Sequence, residues 1–266
     1  MTRTVLVTGA SRGIGEVTAR RFGSNGWTVY GTARDAGRVD AGDVALSVDV
    51  TDEKQVDEAV ETVVEDEGGI DCVVNNAGNS LLGPVEETTV KDARAQFDVN
   101  VHGPHRVVRA VLPHMRDARR GSIINVSSVA GRVASSGMGT YAASKHALEA
   151  LSDALRVEVA PFGVDVVLIE PGPVDTGFAD DSVADADYDG SYAEVHDGIR
   201  SFVERGIHGP LAASPQDVAE KIVDTAEDDD PKPRYTVGRG SRLLAATEGV
   251  PSTVRDAFQD LFFRLP

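Results

Sequence analysis

Short apolar runs of strand length alternate with amphipathic helical stretches along the chain, and this alternation limits the possible folds more than any other feature. The predicted strands lie at 5–8, 28–32, 44–48, 70–75, 122–127, 164–170 and 235–237. Helical spacing occurs near 13–24, 52–67, 88–117, 140–160 and 215–227. Strands that are apolar on both faces and joined by helices form parallel sheets covered on both sides. The sequence therefore predicts an α/β fold, a doubly wound (Rossmann-type) parallel sheet of about seven strands.

The length of 266 residues and the lack of a linker-like stretch predict a single domain over 1–266. The first strand pattern begins close to Met1, so we expect no signal peptide. No run approaches about 18 consecutive apolar residues, so we expect a cytoplasmic protein with no membrane span. The segment 178–210 is rich in carboxylates and follows a strand end. We interpret it as a substrate lid of one or two short helices, with a structural insertion as the alternative.

The composition is strongly acidic, with 43 Asp and Glu residues against 26 Lys and Arg residues and a formal net charge of -17. Such a surface repels nucleic acid, so we expect no nucleic-acid partner. An acidic, lysine-poor chain resembles proteins of salt-loving (halophilic) organisms, in which high ionic strength screens the repulsion between carboxylates. The alternative is an ordinary acidic cytoplasmic protein.

Cysteine and histidine give no sign of a disulfide or a metal site. Cys72 is the single cysteine, and it lies within an apolar run, so we interpret it as part of the core. The six histidines show no metal-ligand spacing, and we interpret them as surface or helix residues.

A glycine-rich turn follows the first strand and opens the first helix. Its residues are Thr8, Gly9, Ala10, Ser11, Arg12, Gly13, Ile14 and Gly15. Ligands of doubly wound sheets bind beyond the carboxyl ends of the strands, where this turn lies. The glycines let the backbone approach a pyrophosphate, whose charge would meet the amino terminus of the helix. The turn therefore predicts a dinucleotide site, with a plain turn as the alternative.

The end of the second strand favours NADP over NAD. A carboxylate at this place would bind the ribose hydroxyls of NAD, but the chain has Ala33 followed by Arg34. The guanidinium groups of Arg34 and Arg12 are suited to a 2′-phosphate. Alternatively, Asp35 forms a surface ion pair with Arg34, in which case NAD is possible.

The pair Tyr141 and Lys145 indicates proton-transfer chemistry. Residues four apart lie on one face of a helix, so the lysine ammonium can sit beside the phenol and favour its ionised form. Such a phenol is usable as a general base near neutral pH. A tyrosine and a lysine four residues apart also occur by chance. The prediction of a site therefore depends on the other motifs, including Ser128, thirteen residues before Tyr141.

Taken together, the motifs resemble the short-chain dehydrogenase/reductase family over roughly residues 3–176. They are the glycine turn, Asn75-Asn76-Ala77-Gly78 after the fourth strand, Ser128 after the fifth, Tyr141 with Lys145, and Pro171-Gly172 after the sixth. Each falls in the expected order and at the expected strand end. The resemblance implies an enzyme with the fold predicted above.

The resemblance also implies catalytic roles. Tyr141 would be the general acid/base on the substrate oxygen, and Lys145 would lower its pKa and bond the nicotinamide ribose. Ser128 would hold the substrate oxygen. Ser127 is its close rival, and the family interval to the tyrosine favours Ser128. Asn100 matches the family asparagine that feeds a water chain to the lysine, with a helix cap or kink as the alternative.

The cofactor would contact a larger set of residues. Besides the glycine turn, Arg34, Tyr141 and Lys145, this set comprises Asp49, Val50, Asn76, Ala77, Gly78, Pro171, Gly172, Val174 and Thr176. Asp49 would cap the adenine, with a cap of the helix near 52 as the alternative. Val174 and Thr176 would hold the carboxamide, with a turn-forming role for Thr176 as the alternative.

The implied activity is an NADP-dependent oxidoreductase that transfers a hydride between the nicotinamide and a carbonyl or secondary alcohol. Two alternatives are a dinucleotide-sensing protein without turnover and a sugar-nucleotide epimerase or dehydratase. The segment 129–140 is small and mostly apolar, with Arg132 as its one cation, so the expected substrate is an apolar ketone, aldehyde or alcohol. Members of the family usually pair through the tyrosine-bearing helix, which implies a homodimer or homotetramer.

Overall fold

A computed structural model of the protein describes residues 2–176, 190–207, 212–254 and 256. The strands are β1 (Thr4–Thr8), β2 (Thr28–Ala33), β3 (Val44–Ser47), β4 (Cys72–Asn75), β5 (Gly121–Val126), β6 (Val164–Pro171) and β7 (Arg234–Val237). The α-helices are α1 (Gly13–Ser24), α2 (Glu53–Glu67), α3 (Val90–Phe97), α4 (Gly103–Ala118), α5 (Gly139–Val159), α6 (Ala193–Ser201), α7 (Pro215–Glu227) and α8 (Arg239–Ala246).

The strands form one parallel sheet in the order β3-β2-β1-β4-β5-β6-β7. The predicted doubly wound fold is therefore confirmed, and each observed strand lies within two residues of its predicted ends. The chain order reverses between β1 and β4. A reversal of this kind opens a crevice at the carboxyl ends of the two strands, and ligands of such sheets bind there.

Two apolar layers cover the sheet. On β1, Val5 and Val7 face one layer, which contains Phe22 of α1 and Ile222 of α7. Leu6 faces the other layer, which contains residues of α2 and α4. Because successive side chains of a strand point to opposite faces, the three central residues of β1 must all be apolar. Cys72 belongs to the first layer, and burial raises the pKa of its thiol, which fits a core residue.

The helix predicted over 88–117 is interrupted, so that prediction was wrong in its continuity. A π-helical turn, Asp98–His102, separates α3 from α4. Within it the buried Asn100 side chain accepts from the Asn79 N–H (2.9 Å) and donates to the Asn79 carbonyl (2.9 Å). One extra residue in a turn barely alters the apolar spacing, so periodicity does not reveal it.

Part of the predicted lid falls outside the described residues, namely 177–189 and 208–211. The described part of 178–210 contains α6 and the π-helical turn Phe202–Ile207. No helix among the residues that the structure describes is long and apolar enough to cross a bilayer.

Thr8, at the end of β1, ties together the two sides of the central crevice. Its hydroxyl accepts from the backbone N–H groups of Asn76 (3.0 Å) and Ala77 (3.0 Å), and it donates to the carbonyl of Val74 (3.3 Å). In return, the Asn76 side-chain amide donates to the carbonyls of Thr8 (2.9 Å) and Gly9 (3.1 Å). The loop after β4 is thus fixed against the glycine turn.

Thr8→Val should destabilise the protein, because an isosteric methyl cannot accept the Asn76 and Ala77 amides. We expect the free energy of unfolding to fall by about 1–3 kcal/mol, measured by urea denaturation. Thr8→Ser keeps the hydroxyl and is the matched control. Equal urea midpoints for the two variants would show that the hydroxyl does not hold the crevice together.

Candidate active site

A cavity of about 440 Å³ opens at the carboxyl edge of the sheet. Most of the predicted site residues line it: Gly9, Ser11, Arg12, Gly13, Ile14, Arg34, Asp49, Val50, Asn76, Ala77, Gly78, Ser128, Tyr141, Lys145, Pro171, Gly172, Val174 and Thr176. The other two predicted residues, Gly15 and Asn100, do not line the cavity. Residues far apart in the sequence are therefore brought to one place.

The glycine turn brings backbone close to backbone. A Cβ on Gly15 would lie 2.2 Å from the Gly9 carbonyl oxygen and 2.4 Å from the Asn76 amide nitrogen, so only glycine fits there. Gly9 has a φ of 68°, a left-handed conformation that favours glycine. Arg12 holds the N-cap of α1 without a side-chain capping bond. The positive end of the helix therefore faces the cavity, which suits an anion.

The loop after β6 meets the glycine turn. A Cβ on Gly13 would lie 3.0 Å from the Thr176 Cβ, so Thr176 packs on the turn as well as lining the cavity. Upstream, the Pro173 carbonyl accepts from Ala213 N (2.9 Å), and Val174 forms a β-bridge with Ala213. Val174 is thus held in extended backbone.

Tyr141 and Lys145 share the first turns of α5, and both are buried. The Lys145 ammonium donates to the carbonyl of Val126, the last residue of β5, at 2.9 Å. It lies 5.9 Å from the centre of the Tyr141 ring. The spacing of four residues therefore places the two side chains together, as the sequence predicted, and β5 anchors the lysine.

The pKa of Tyr141 is shifted in the opposite direction to that expected from the sequence. Burial raises the pKa of the phenol to about 12, although a hydrogen bond with Ser128 works the other way. Burial likewise lowers the pKa of Lys145 to about 8, against the attraction of Glu149. Sequence spacing shows that two groups are neighbours, but the depth of burial, which sets the larger effect here, follows from the fold.

Of the two candidate serines, the structure favours Ser128. Its side chain is hydrogen-bonded to Tyr141 and accepts from the backbone N–H of Ala130 (3.1 Å). Ser127 also lines the cavity, but its hydroxyl is buried and forms no hydrogen bond with any residue that the structure describes. Of the two serines, Ser128 is therefore the one whose hydroxyl lies beside the Tyr141 phenol.

Asn100 lies behind Lys145. Besides fixing Asn79, its amide donates to the hydroxyl of Ser144 (3.0 Å), which in turn donates to the Tyr141 carbonyl (2.7 Å). A Cβ on Gly78 would lie 3.2 Å from Asn100 Oδ1 and 3.9 Å from Lys145 Nζ. Asn100 therefore joins the π-helical turn, the loop after β4 and α5.

At the other end of the cavity, Arg34 and Asp49 are available to a ligand. Arg34 is exposed, and among the described residues it forms no ion pair with Asp35, whose carboxylate instead accepts from Gly37 N (3.0 Å). Asp49 accepts from the Thr51 backbone and hydroxyl (2.9 and 2.8 Å). The cap of α2 is Asp52, so the alternative of Asp49 as that cap was wrong.

Four apolar side chains outside the sequence motifs also line the cavity, and two of them, Phe202 and Ile207, fall within the predicted lid at 178–210. The four are Leu82, Phe202, Ile207 and Leu244. They come from the loop after β4, the π-helical turn after α6, and α8, none of which carries a motif. Arg132, the one cation of the segment 129–140, turns away and pairs with Glu170 (3.4 Å) and Glu248.

Within the described part of the chain, no group of three or more His, Cys, Asp or Glu side chains is arranged to hold a metal ion.

Comparison with known proteins places this site in a family. The short chain dehydrogenase family profile matches residues 3–187. The 3-ketodihydrosphingosine reductase of Bacteroides thetaiotaomicron is 42% identical over 176 residues, which are 66% of this chain and 65% of that protein. The probable short-chain type dehydrogenase/reductase VdlC of Helicobacter pylori is 36% identical over 265 residues, 98% of this chain and 96% of that protein. The NADPH-dependent 3-dehydrocapnine reductase of Ornithobacterium rhinotracheale is 34% identical over 92% of this chain and 91% of its own length.

Solved structures agree. A short-chain dehydrogenase from Streptomyces avermitilis superimposes with a TM-score of 0.84 at 33% identity, covering 98% of this chain and 96% of that one. ElxO, solved with NADP bound, has a TM-score of 0.74 at 27% identity and covers 89% of this chain and 97% of its own. The chain belongs to the short-chain dehydrogenase/reductase family of oxidoreductases.

Proposed function

We propose that this protein is an NADP-dependent oxidoreductase that transfers a hydride between the nicotinamide and a carbonyl or secondary alcohol, with Tyr141 exchanging the proton. The observation that carries the proposal is the meeting of Ser128, Tyr141 and Lys145 in the cavity that the glycine turn also lines. A protein that only sensed a dinucleotide would have no use for this set.

The cavity fits a dinucleotide phosphate. The glycine turn leaves no room for a Cβ at Gly15, and the amino end of α1 faces the space above it. Arg12 and Arg34 line the cavity and would hold the 2′-phosphate, while Asp49 would hold the adenine end. When bound, NADPH supplies the hydride. The NADP complex of the similar protein ElxO supports the same preference.

In the reducing direction, Tyr141 would act as the proton donor. With a pKa of about 12, its phenol is protonated at neutral pH and acts as the acid toward a carbonyl oxygen. Ser128, bonded to the same phenol, holds that oxygen in reach. The proton passes from Tyr141 to the substrate oxygen, and the nearby Lys145 ammonium stabilises the phenolate that remains. Two of the relatives are named as reductases.

The substrate that suits the cavity is an apolar ketone or aldehyde, or the corresponding alcohol in the reverse direction. Leu82, Phe202, Ile207 and Leu244 give the substrate side an apolar wall. Arg132 is engaged with carboxylates and offers no charge to an anionic substrate. Burial of apolar surface would therefore supply most of the binding free energy.

The same proposal includes a single domain over 1–266 with a substrate lid at about 178–210, since Phe202 and Ile207 of that segment line the cavity. It also includes a cytoplasmic location, because the reaction draws on the dinucleotide pool of the cell. A homodimer or homotetramer is supported by Leu151 and Val157, two exposed apolar residues of α5.

Tyr141→Phe should lower kcat at least about a hundredfold, because it removes the proton donor and keeps the ring. The assay is NADPH absorbance with a panel of ketones and aldehydes at high KCl. NADPH binding, followed by fluorescence, should change little. Tyr235→Phe, a tyrosine of β7 outside the cavity, is the control. Activity of Tyr141→Phe within about threefold of the parent would refute the mechanism.

Arg34→Asp should move the cofactor preference toward NAD. The carboxylate would repel a 2′-phosphate and accept ribose hydroxyls, so we expect the NADP to NAD ratio of kcat/KM to fall at least about tenfold. Arg38→Asp reverses a nearby charge that does not line the cavity and should leave the ratio unchanged. An unchanged ratio in the Arg34 variant would exclude this residue from cofactor choice.

Halophilic character predicts that salt stabilises the protein. Raising KCl from about 0.1 M to about 2 M should raise Tm by several degrees, because ions screen the repulsion behind the net charge of -17. An uncharged osmolyte at equal osmolality is the control for effects other than screening. A Tm that stays level or falls with KCl would argue against adaptation to salt.

A further inference from the structure

Two carboxylates are buried behind the site and have no part in the reaction described above. Glu149 lies on α5, one helical turn after Lys145, and Glu170 lies near the end of β6. Both are buried, Glu170 completely. A charged carboxylate away from water is costly unless cations and donors compensate it, so each one needs an explanation.

Glu170 is well compensated. Arg132 lies 3.4 Å from one carboxylate oxygen, and Arg234 of β7 lies 3.2 Å from the other. The hydroxyl of Thr236 donates to the oxygen beside Arg132 at 2.9 Å. Glu170 therefore has two cations and a donor, which accounts for its burial as a structural ion cluster.

Glu149 is compensated less. Arg234 reaches it at 3.4 Å but makes its short contact, 2.8 Å, with Asp153. The second Glu149 oxygen is buried and has no hydrogen-bond partner among the residues that the structure describes. One Glu170 oxygen likewise has none, but Arg234 lies 3.2 Å from that oxygen. The Ser127 hydroxyl faces the Glu149 carboxylate and lowers its pKa, although the two groups do not form a well-aligned hydrogen bond. Glu149 thus retains attraction for another cation.

Lys145 is a further cation on this side of α5, although its ammonium is bonded to the Val126 carbonyl and forms no direct ion pair with Glu149. Residues four apart share one face of a helix, so Glu149 and Lys145 are neighbours on the buried side of α5. A Cβ on Gly131 would lie 2.8 Å from Ser127 Oγ and 3.0 Å from Glu149 Cγ. Glu149 therefore sits beneath residues 127–131, the loop that carries Ser128.

The surrounding charges decide the sign of the effect. Lys145 faces Tyr141 and Glu149, while Glu149 faces Lys145 and Asp153 on α5, Arg234 on β7 and Glu170 on β6, with Arg132 beyond Glu170. Burial lowers the pKa of Lys145 to about 8, and the Glu149 charge works against that fall. Burial raises the pKa of Glu149 itself to about 7. Removing the carboxylate would therefore leave Lys145 easier to deprotonate.

We propose that Glu149 is a positioning residue of the active site: its carboxylate, held by Arg234 under the loop 127–131, keeps the Lys145 ammonium charged from one helical turn away. The importance of Glu149 to turnover rests on the proposed function, in which Lys145 must be a cation to stabilise a Tyr141 phenolate. The charge coupling itself can be measured without any substrate.

The test is a direct titration of Lys145. The chain has five lysines, so biosynthetic labelling with lysine carrying 13C at the ε position gives few NMR signals, and Lys145→Arg identifies the signal of Lys145. In Glu149→Gln we expect the midpoint of Lys145 to fall by about one pH unit. Asp153→Asn removes the other Arg234 partner on α5 but lies two turns from Lys145. It should shift the midpoint by less than about 0.3 units.

Enzyme kinetics of the unlabelled protein provide the second readout. In Glu149→Gln the loss of kcat at high pH should begin at a lower pH than in the parent, by the same amount as the NMR shift. An unchanged Lys145 midpoint, or an equal shift in Asp153→Asn, would overturn the proposal. So would a loss of kcat that is uniform across pH, which indicates a merely structural role. Failure of the Tyr141→Phe prediction would refute the reaction and leave the NMR result standing.

If circular dichroism shows that Glu149→Gln does not fold, the Lys145 midpoint is measured in Glu149→Asp instead. It keeps the charge but moves it by one methylene from Lys145. A fall of a few tenths of a pH unit in the Lys145 midpoint supports the proposal. A midpoint identical to that of the parent overturns it.

Discussion

Parallel strand pairing is the constraint on which the site depends. Because β1, β4, β5 and β6 run side by side in the same direction, the segment after each one emerges at the same edge of the sheet. The glycine turn, the loop with Asn76, the loop with Ser128 and the segment from Pro171 are those four segments. They meet although more than 160 residues separate the first from the last. Thr8 then fixes the glycine turn against the loop with Asn76 through hydrogen bonds of its side-chain hydroxyl.

Burial is the second constraint, and it disfavours the charged form of three titratable groups around Tyr141. It raises the pKa of Tyr141 and Glu149 and lowers that of Lys145. One pK unit corresponds to about 1.4 kcal/mol, so a phenolate at Tyr141 costs about 3 kcal/mol more than in water. Chemistry in such a place depends on neighbouring charges that offset part of this cost. Under the proposed function the Lys145 ammonium would be that charge, and the Glu149 carboxylate would act on the lysine by keeping the ammonium protonated.

Most of the fold and the core of the site could be predicted from the sequence, because both depend on local patterns. Apolar runs identify strands, and the glycine turn, Ser128 and the pair of Tyr141 and Lys145 each lie within one short segment. The features that escaped prediction depend on tertiary placement. Leu244 reaches the cavity only because α8 packs against Gly172, where a Cβ would lie 2.0 Å from the Ser241 hydroxyl. The π-helical turn at Asn100 and the direction of the Tyr141 pKa shift likewise follow from what surrounds these residues, which spacing does not report.

In this acidic chain, charges on the surface and charges buried around Tyr141 respond differently to salt. At molar salt the screening length is about 3 Å, so charges on the surface no longer act at a distance. Under the proposed function, Arg12 and Arg34 would then select a phosphate only by direct contact. Arg234, Glu149 and Lys145 are largely shielded from solvent ions, because Glu149 and Lys145 are buried and Arg234 is mostly covered. Salt therefore changes the repulsion between surface carboxylates while leaving the charges around Tyr141 nearly unchanged. An acidic surface and a site that operates by buried charge are compatible in one protein, because each responds to ionic strength independently of the other.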